Sequence, residues 1–70
     1  MNEAIFVVIN GDNRQVPAGI NVADLLLHLG IVTGRVAIER NSDILPRARW
    51  DKTSVSEGDR YEIVHLVGGG

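Results

Sequence analysis

The residues Val64-His65-Leu66-Val67-Gly68-Gly69-Gly70 run an apolar segment straight into three glycines, and the group they offer to chemistry is a terminal carboxylate. Glycine has no Cβ, so such an end can pass extended through a channel too narrow for side chains, with its last carbonyl carbon unshielded. Extended, Leu66 to Gly70 would reach about 16 to 18 Å, enough to enter another protein's active site while the domain stays outside. A terminal carboxyl has a reference pKa of about 3.3 to 3.7, so at neutral pH it is an anion and a poor electrophile. Converting it to an acyl adenylate with ATP would supply a leaving group, after which a persulfide, thiol or amine could add to the carbonyl carbon. In that chemistry the tail is a substrate and the catalyst lies elsewhere. The competing reading is a frayed terminus with no role of its own.

No other group of residues assembles into a recognisable site. His28 and His65 are far apart in sequence and there is no cysteine, so neither a nucleophilic triad nor a thiolate metal set is available. Asp12, Asp24, Asp59, Glu57 and Glu62 stand where turns, caps and exposed strand faces put carboxylates anyway. Arg47, Arg49 and Trp50, in the stretch PRARW, could stack or hold an anion. The plainer reading packs Trp50 over a loop edge with the arginines in solvent. A phosphate-cradling GxxxxGK loop is missing, which argues against unaided ATP binding. The chain is therefore expected to hold no cofactor or metal and to have no catalytic residues of its own.

Seventy residues allow one small domain, and 44% hydrophobic residues suffice for a single core. A formal net charge of −2 argues against a nucleic-acid partner, whose phosphates demand a basic surface. No apolar run approaches the roughly 20 residues of a membrane span, and the N-terminus lacks the order of a signal peptide. A cytoplasmic protein, monomeric when alone, is the expectation.

The elements that would carry the tail follow from pattern. Ala4 to Asn10 is a β-branched run broken at Asn10-Gly11-Asp12-Asn13, a hairpin turn, with Arg14 to Pro17 as the returning strand. Val22, Leu25, Leu26 and Leu29 share one face of a helix over about residues 22–29. Asn21 can cap its first turn, Asp24 can reach back to complete the cap, and Gly30 can stop it. Arg35 to Arg40 alternates as a strand, Asn41-Ser42-Asp43 turns it, and Ile44-Leu45-Pro46 is a short edge strand. Arg47 to Ser56 reads as irregular, and Glu57-Gly58-Asp59 turns into a last strand, Arg60 to Val67. The first and last strands are the most apolar, which places them adjacent and parallel at the centre of a mixed sheet of four to five strands wrapped on the helix. That is the α+β arrangement called the β-grasp, over residues 1–67, followed by a flexible tail, 68–70.

The hairpin signal Asn10-Gly11, the helix NVADLLLHLG, the middle stretch VAIERNSDILPRARW and the closing EGDRYEIVHLVGGG together resemble the ThiS family, the sulfur carriers of thiamine biosynthesis, essentially from end to end. The resemblance implies a ubiquitin-like β-grasp and a Gly-Gly end at Gly69 and Gly70. It implies that a ThiF-like, E1-like adenylyltransferase adenylates Gly70 with ATP and Mg, and that sulfur from a cysteine desulfurase pathway converts it to a thiocarboxylate. A ThiG-like thiazole synthase would then take the sulfur. Two departures stand out: Gly68 adds a third glycine, and Asn21 occupies a helix cap where Thr is expected, a change either capping oxygen tolerates.

In a grasp of this phase Ile5, Val7, Ile9, Tyr61 and Ile63 face the helix, leaving Phe6, Val8, Val64 and Leu66 on the open sheet face as a docking patch beside the tail. Scattered exposed apolar residues are also ordinary, so parity alone leaves that patch open. The rival functions are a sulfur carrier for molybdopterin or another sulfur-containing metabolite, and a ubiquitin-like interaction module that never activates its tail.

Overall fold

The computed structural model describes residues 3–31 and 34–66. Asn10 and Gly11, at φ 50° and 85°, form a two-residue turn whose positive φ values suit the twist of a hairpin. The turn joins β1 (Ala4–Ile9) to β2 (Asp12–Pro17), paired antiparallel from Ile9↔Asp12 to Ala4↔Pro17. The returning strand thus begins at Asp12 and not at Arg14, because Asp12 and Asn13 are ladder residues of the hairpin rather than part of its turn.

Helix α1 (Val22–His28) starts as the sequence requires. The Asn21 side chain accepts from the Asp24 backbone N–H at 2.7 Å while the Asp24 carboxylate accepts from the Asn21 N–H at 3.4 Å. Gly30, at φ 73°, ends it. A helix this short is unstable alone, so its order comes from packing. Val22, Leu25 and Leu26 are fully buried against the sheet and Leu29 packs beside them.

Strand β3 (Val36–Arg40) turns at Asn41 and Ser42 into β4, which is two residues long (Asp43–Ile44) and ends before the expected Leu45 and Pro46. The stretch read as irregular contains a 3-10 helix, Arg47–Lys52, organised around Trp50. This residue is 5% exposed, and its Nε1 donates to the Leu45 carbonyl at 3.1 Å. Thr53 and Val55 then tie the segment to the start of α1, through Val22 N–H to Thr53 O and Val55 N–H to Ile20 O, both at 2.9 Å. The last strand, β5, is Arg60–His65.

The five strands form one mixed sheet in the order β2-β1-β5-β3-β4, with β1 and β5 parallel neighbours at its centre. This is the β-grasp. Val7, Ile9, Val16, Val36, Ile38, Tyr61 and Ile63 project from the sheet into the core. The boundary drawn after Val67, and the tail itself, lie outside the described residues.

Candidate functional site

The site is the root of the tail, and β5 carries it. At its beginning the strand is locked by Asp59, which is 5% exposed. Its carboxylate accepts from Tyr61 Oη at 2.8 Å, the Ser56 N–H at 2.9 Å, Arg40 Nε at 3.1 Å and Asn41 Nδ2 at 3.2 Å. Arg40 also lies 3.1 Å away through Nη2 as an ion pair. Burial alone would push this carboxyl up, but the Ser56 N–H, the Tyr61 and Asn41 donors and the Arg40 charge outweigh it and hold the group below the usual carboxylate range. Burial and the hydrogen bond to Asp59 push the Tyr61 phenol up to about 12. The arrangement is a clip, tying the turn before β5 to the β3–β4 corner.

Past Tyr61, β1 has turned away, and the Asn10 side chain takes its place beside β5. Its amide accepts from the Ile63 N–H at 2.7 Å and donates to the Ile63 carbonyl at 3.2 Å, so one side chain continues the ladder. From Val64 onward the strand is paired on its β3 edge, with Ala37↔Val64 and Val36↔His65 in register and the Leu66 N–H donating to Arg35 O at 2.8 Å. Arg47 reaches the same place from the 3-10 helix. Its guanidinium sits 4.8 Å above the Trp50 ring and donates to the Gly34 carbonyl at 3.0 Å. Arg47 is exposed, as expected, but engaged.

Phe6, Val64 and Leu66 are 53%, 54% and 52% exposed and Val8 is half-buried, on the face away from the helix. They do not form one cluster. The parallel register Val8↔Arg60 sets Phe6 two residues before that level and Val64 four residues after it. At about 3.3 Å per residue the two lie about 20 Å apart along the sheet. Between them is a polar depression of about 270 Å³ lined by Glu39, Glu62, Arg60 and Ser42, with Val8 at its margin. The tail end of the face therefore holds Val64 and Leu66, joined by Ala37, and the far end holds Phe6. Sequence parity gives the face but not this offset.

His28 and His65 are not brought together. The former lines a groove of about 360 Å³ with Glu3, Ala4 and Pro17 at the start of β1, and the latter ends the parallel strand β5. Among the described residues no group of three or more His, Cys, Asp or Glu could hold a metal ion. No helix among them is long and apolar enough to cross a membrane. Gly68, Gly69 and Gly70 lie outside the described residues.

Comparison with known proteins adds what geometry cannot. The family model described as the ThiS family matches residues 7–70, a span that includes the glycines. The chain belongs to the ThiS family. A crystal structure of the thiamine biosynthesis protein ThiS from Geobacter metallireducens superposes with a TM-score of 0.80 at 33% identity, covering 94% of this chain and all of that one, 100%. The sulfur carrier protein ThiS of Bacillus subtilis is 37% identical over 49 residues, 70% of this chain and 74% of that protein. Thiazole synthase of Paramagnetospirillum magneticum is 42% identical over 64 residues, which are 91% of this chain but 20% of that protein. This ThiS-family chain thus spans about a fifth of the length of the thiazole synthases it matches. A segment of this kind is part of those larger chains, which links the family to thiazole synthase.

Proposed function

We propose that this member of the ThiS family, a sulfur carrier of thiamine biosynthesis and not a catalyst, works through the terminal carbonyl of Gly70. The observation that supports this most directly is the family match running to residue 70 on a domain whose last strand is anchored at one end and exposed at the other. An E1-like, ThiF-like enzyme in the cytoplasm uses ATP and Mg to join the Gly70 carboxylate to AMP, releasing pyrophosphate. The outer sulfur of a persulfide supplied by a cysteine desulfurase pathway then adds to the carbonyl carbon and AMP leaves, and a thiol cleaves the acyl disulfide so formed, itself ending in a disulfide. The resulting thiocarboxylate delivers its sulfur to a ThiG-like thiazole synthase. Gly68 and Gly69 let the chain enter each active site without side-chain clashes.

Docking falls to the open face. Val64 and Leu66 stand nearest the tail and meet whichever enzyme holds it, with Phe6 and Val8 available to a partner broad enough to span the sheet. In this reading the domain supplies shape and reach.

The test is the intact mass of the protein after incubation with the activating enzyme, Mg-ATP, cysteine and a cysteine desulfurase, against a sample lacking ATP. Replacement of one oxygen by sulfur, localised to the last peptide, is expected. An unchanged mass with active partner enzymes would sink the carrier reading.

A further inference from the structure

Arg47 is far from Gly70 in sequence and belongs to a segment that nothing above assigns to sulfur transfer, yet its contacts converge on the place where the tail begins. There Leu66, the residue just after β5, donates its backbone N–H to the Arg35 carbonyl at 2.8 Å. Arg35 follows Gly34, where open space stands in place of a packed side chain. Arg47 holds this lead into β3 by donating to the Gly34 carbonyl at 3.0 Å. Its own position is fixed by the Trp50 ring beneath it, 4.8 Å from the guanidinium carbon, and Trp50 is buried and bonded to Leu45. A charged donor on a carbonyl is among the stronger hydrogen bonds, and a cation over an indole adds to it.

We propose that Arg47 is a positioning residue for the carrier reaction: from its seat on Trp50 it fixes the Gly34–Arg35 peptide, and through the Leu66 bond it fixes the direction in which the tail leaves the sheet. This rests on the carrier reading and adds to it a residue whose role is aim. A root pointing one way narrows the volume the tail must search before it meets a partner's channel, which raises its effective concentration there. The contribution belongs to capture, not to the chemical step, so it acts on KM for the carrier and leaves kcat alone.

The experiment takes the full chain as wild type, Arg47→Met and Arg47→Lys, and measures amide hydrogen exchange by NMR alongside adenylation kinetics with the activating enzyme. Methionine keeps an apolar stem over Trp50 and removes the donor; lysine keeps the cation and loses the guanidinium fork. In Arg47→Met the Leu66 amide is expected to exchange roughly 3- to 10-fold faster, the change expected when one supporting hydrogen bond is lost. Ile38 and Ile63 amides should be unchanged, which reports that the core is intact. KM for the carrier should rise by a similar factor with kcat within about twofold, and Arg47→Lys should fall between the two proteins in both readouts. Unchanged Leu66 exchange overturns the proposal. So does faster exchange with an unchanged KM. If Arg47→Lys restores KM while Leu66 stays fast, Arg47 touches the partner by charge and the positioning role is wrong. Should wild-type protein itself fail to be adenylated, the carrier reading fails, while the Leu66 amide still decides whether the clamp exists.

Discussion

Strand β5 enters the sheet past a buried carboxylate with donors from Arg40, Asn41, Ser56 and Tyr61, and leaves it through Val64 and Leu66, about half exposed and hydrogen-bonded along one edge. The two ends of the strand therefore differ in kind. One is specified by side chains brought from several parts of the chain. The other is held by backbone bonds to β3 and to Arg35 just before it. On the carrier reading proposed above, the protein needs a body that stays folded and an end that can be handed over, and a single strand would separate the two. Stability and transfer should respond to different substitutions.

The largest effect that would sharpen this contrast is at the tail. Deleting Gly70 should abolish thiocarboxylate formation, read by intact mass, while changing unfolding free energy by no more than about 0.5 kcal/mol. A clear loss of stability would mean that the tail is part of the body. At the other end, Asp59→Ala removes the acceptor shared by Arg40, Asn41, the Ser56 N–H and the Tyr61 hydroxyl and should cost about 3 kcal/mol. For a domain of this size that lowers the thermal midpoint by more than about 10 °C. Near-native stability would show that the clip is ornamental.

The pH dependence of stability comes next. The Asp59 carboxyl has its pKa lowered by folding, so its contribution is present above the unfolded value, about 4, and is lost as pH falls through the folded one. Tyr61 has its pKa raised to about 12, so its contribution is present below the unfolded phenol value of about 10 and is lost as pH climbs from there towards the folded value. Denaturant unfolding across pH should show both limbs, the acid one flattened in Asp59→Asn and the alkaline one in Tyr61→Phe. An acid limb that persists unchanged in Asp59→Asn would assign it to other carboxylates.

The smallest effect lies on the open face. Val64→Ser and Leu66→Ser should each leave stability within about 0.5 kcal/mol while raising KM for the activating enzyme several-fold, and Phe6→Ser, about 20 Å away, should raise it less. Equal effects at both places would mean that a partner covers the whole sheet.

What could be read from the sequence was local. The Asn21–Asp24 cap and the Gly30 stop depend on residues within a few positions of one another and are found where spacing put them, and the first turn lies within the expected Asn10–Asn13 stretch but is confined to Asn10 and Gly11. The parallel centre followed from the apolar character of β1 and β5. The 3-10 helix did not, because its order depends on Trp50 reaching the core and on Leu45 accepting from it. Asp59 looked like a turn carboxylate because the donors that redefine it, Arg40 and Asn41, stand 19 and 18 residues away. The division of the open face was illegible for a similar reason: alternation tells which side a residue faces, and only the β1–β5 register tells how far along the sheet it lies.

The pairing of Val8 with Arg60 also has a consequence for how the molecule comes into being. Its central ladder joins strands at opposite ends of the chain, and such contacts are late and slow to form because a long loop must close first. During synthesis, β1, β2 and α1 can emerge from the ribosome but have no sheet centre to complete until Arg60 to His65 follow. A chain stalled before β5 thus stays unfinished and open to proteolysis. Folded molecules are those that already possess β5, so assembly of the domain acts as its own inspection.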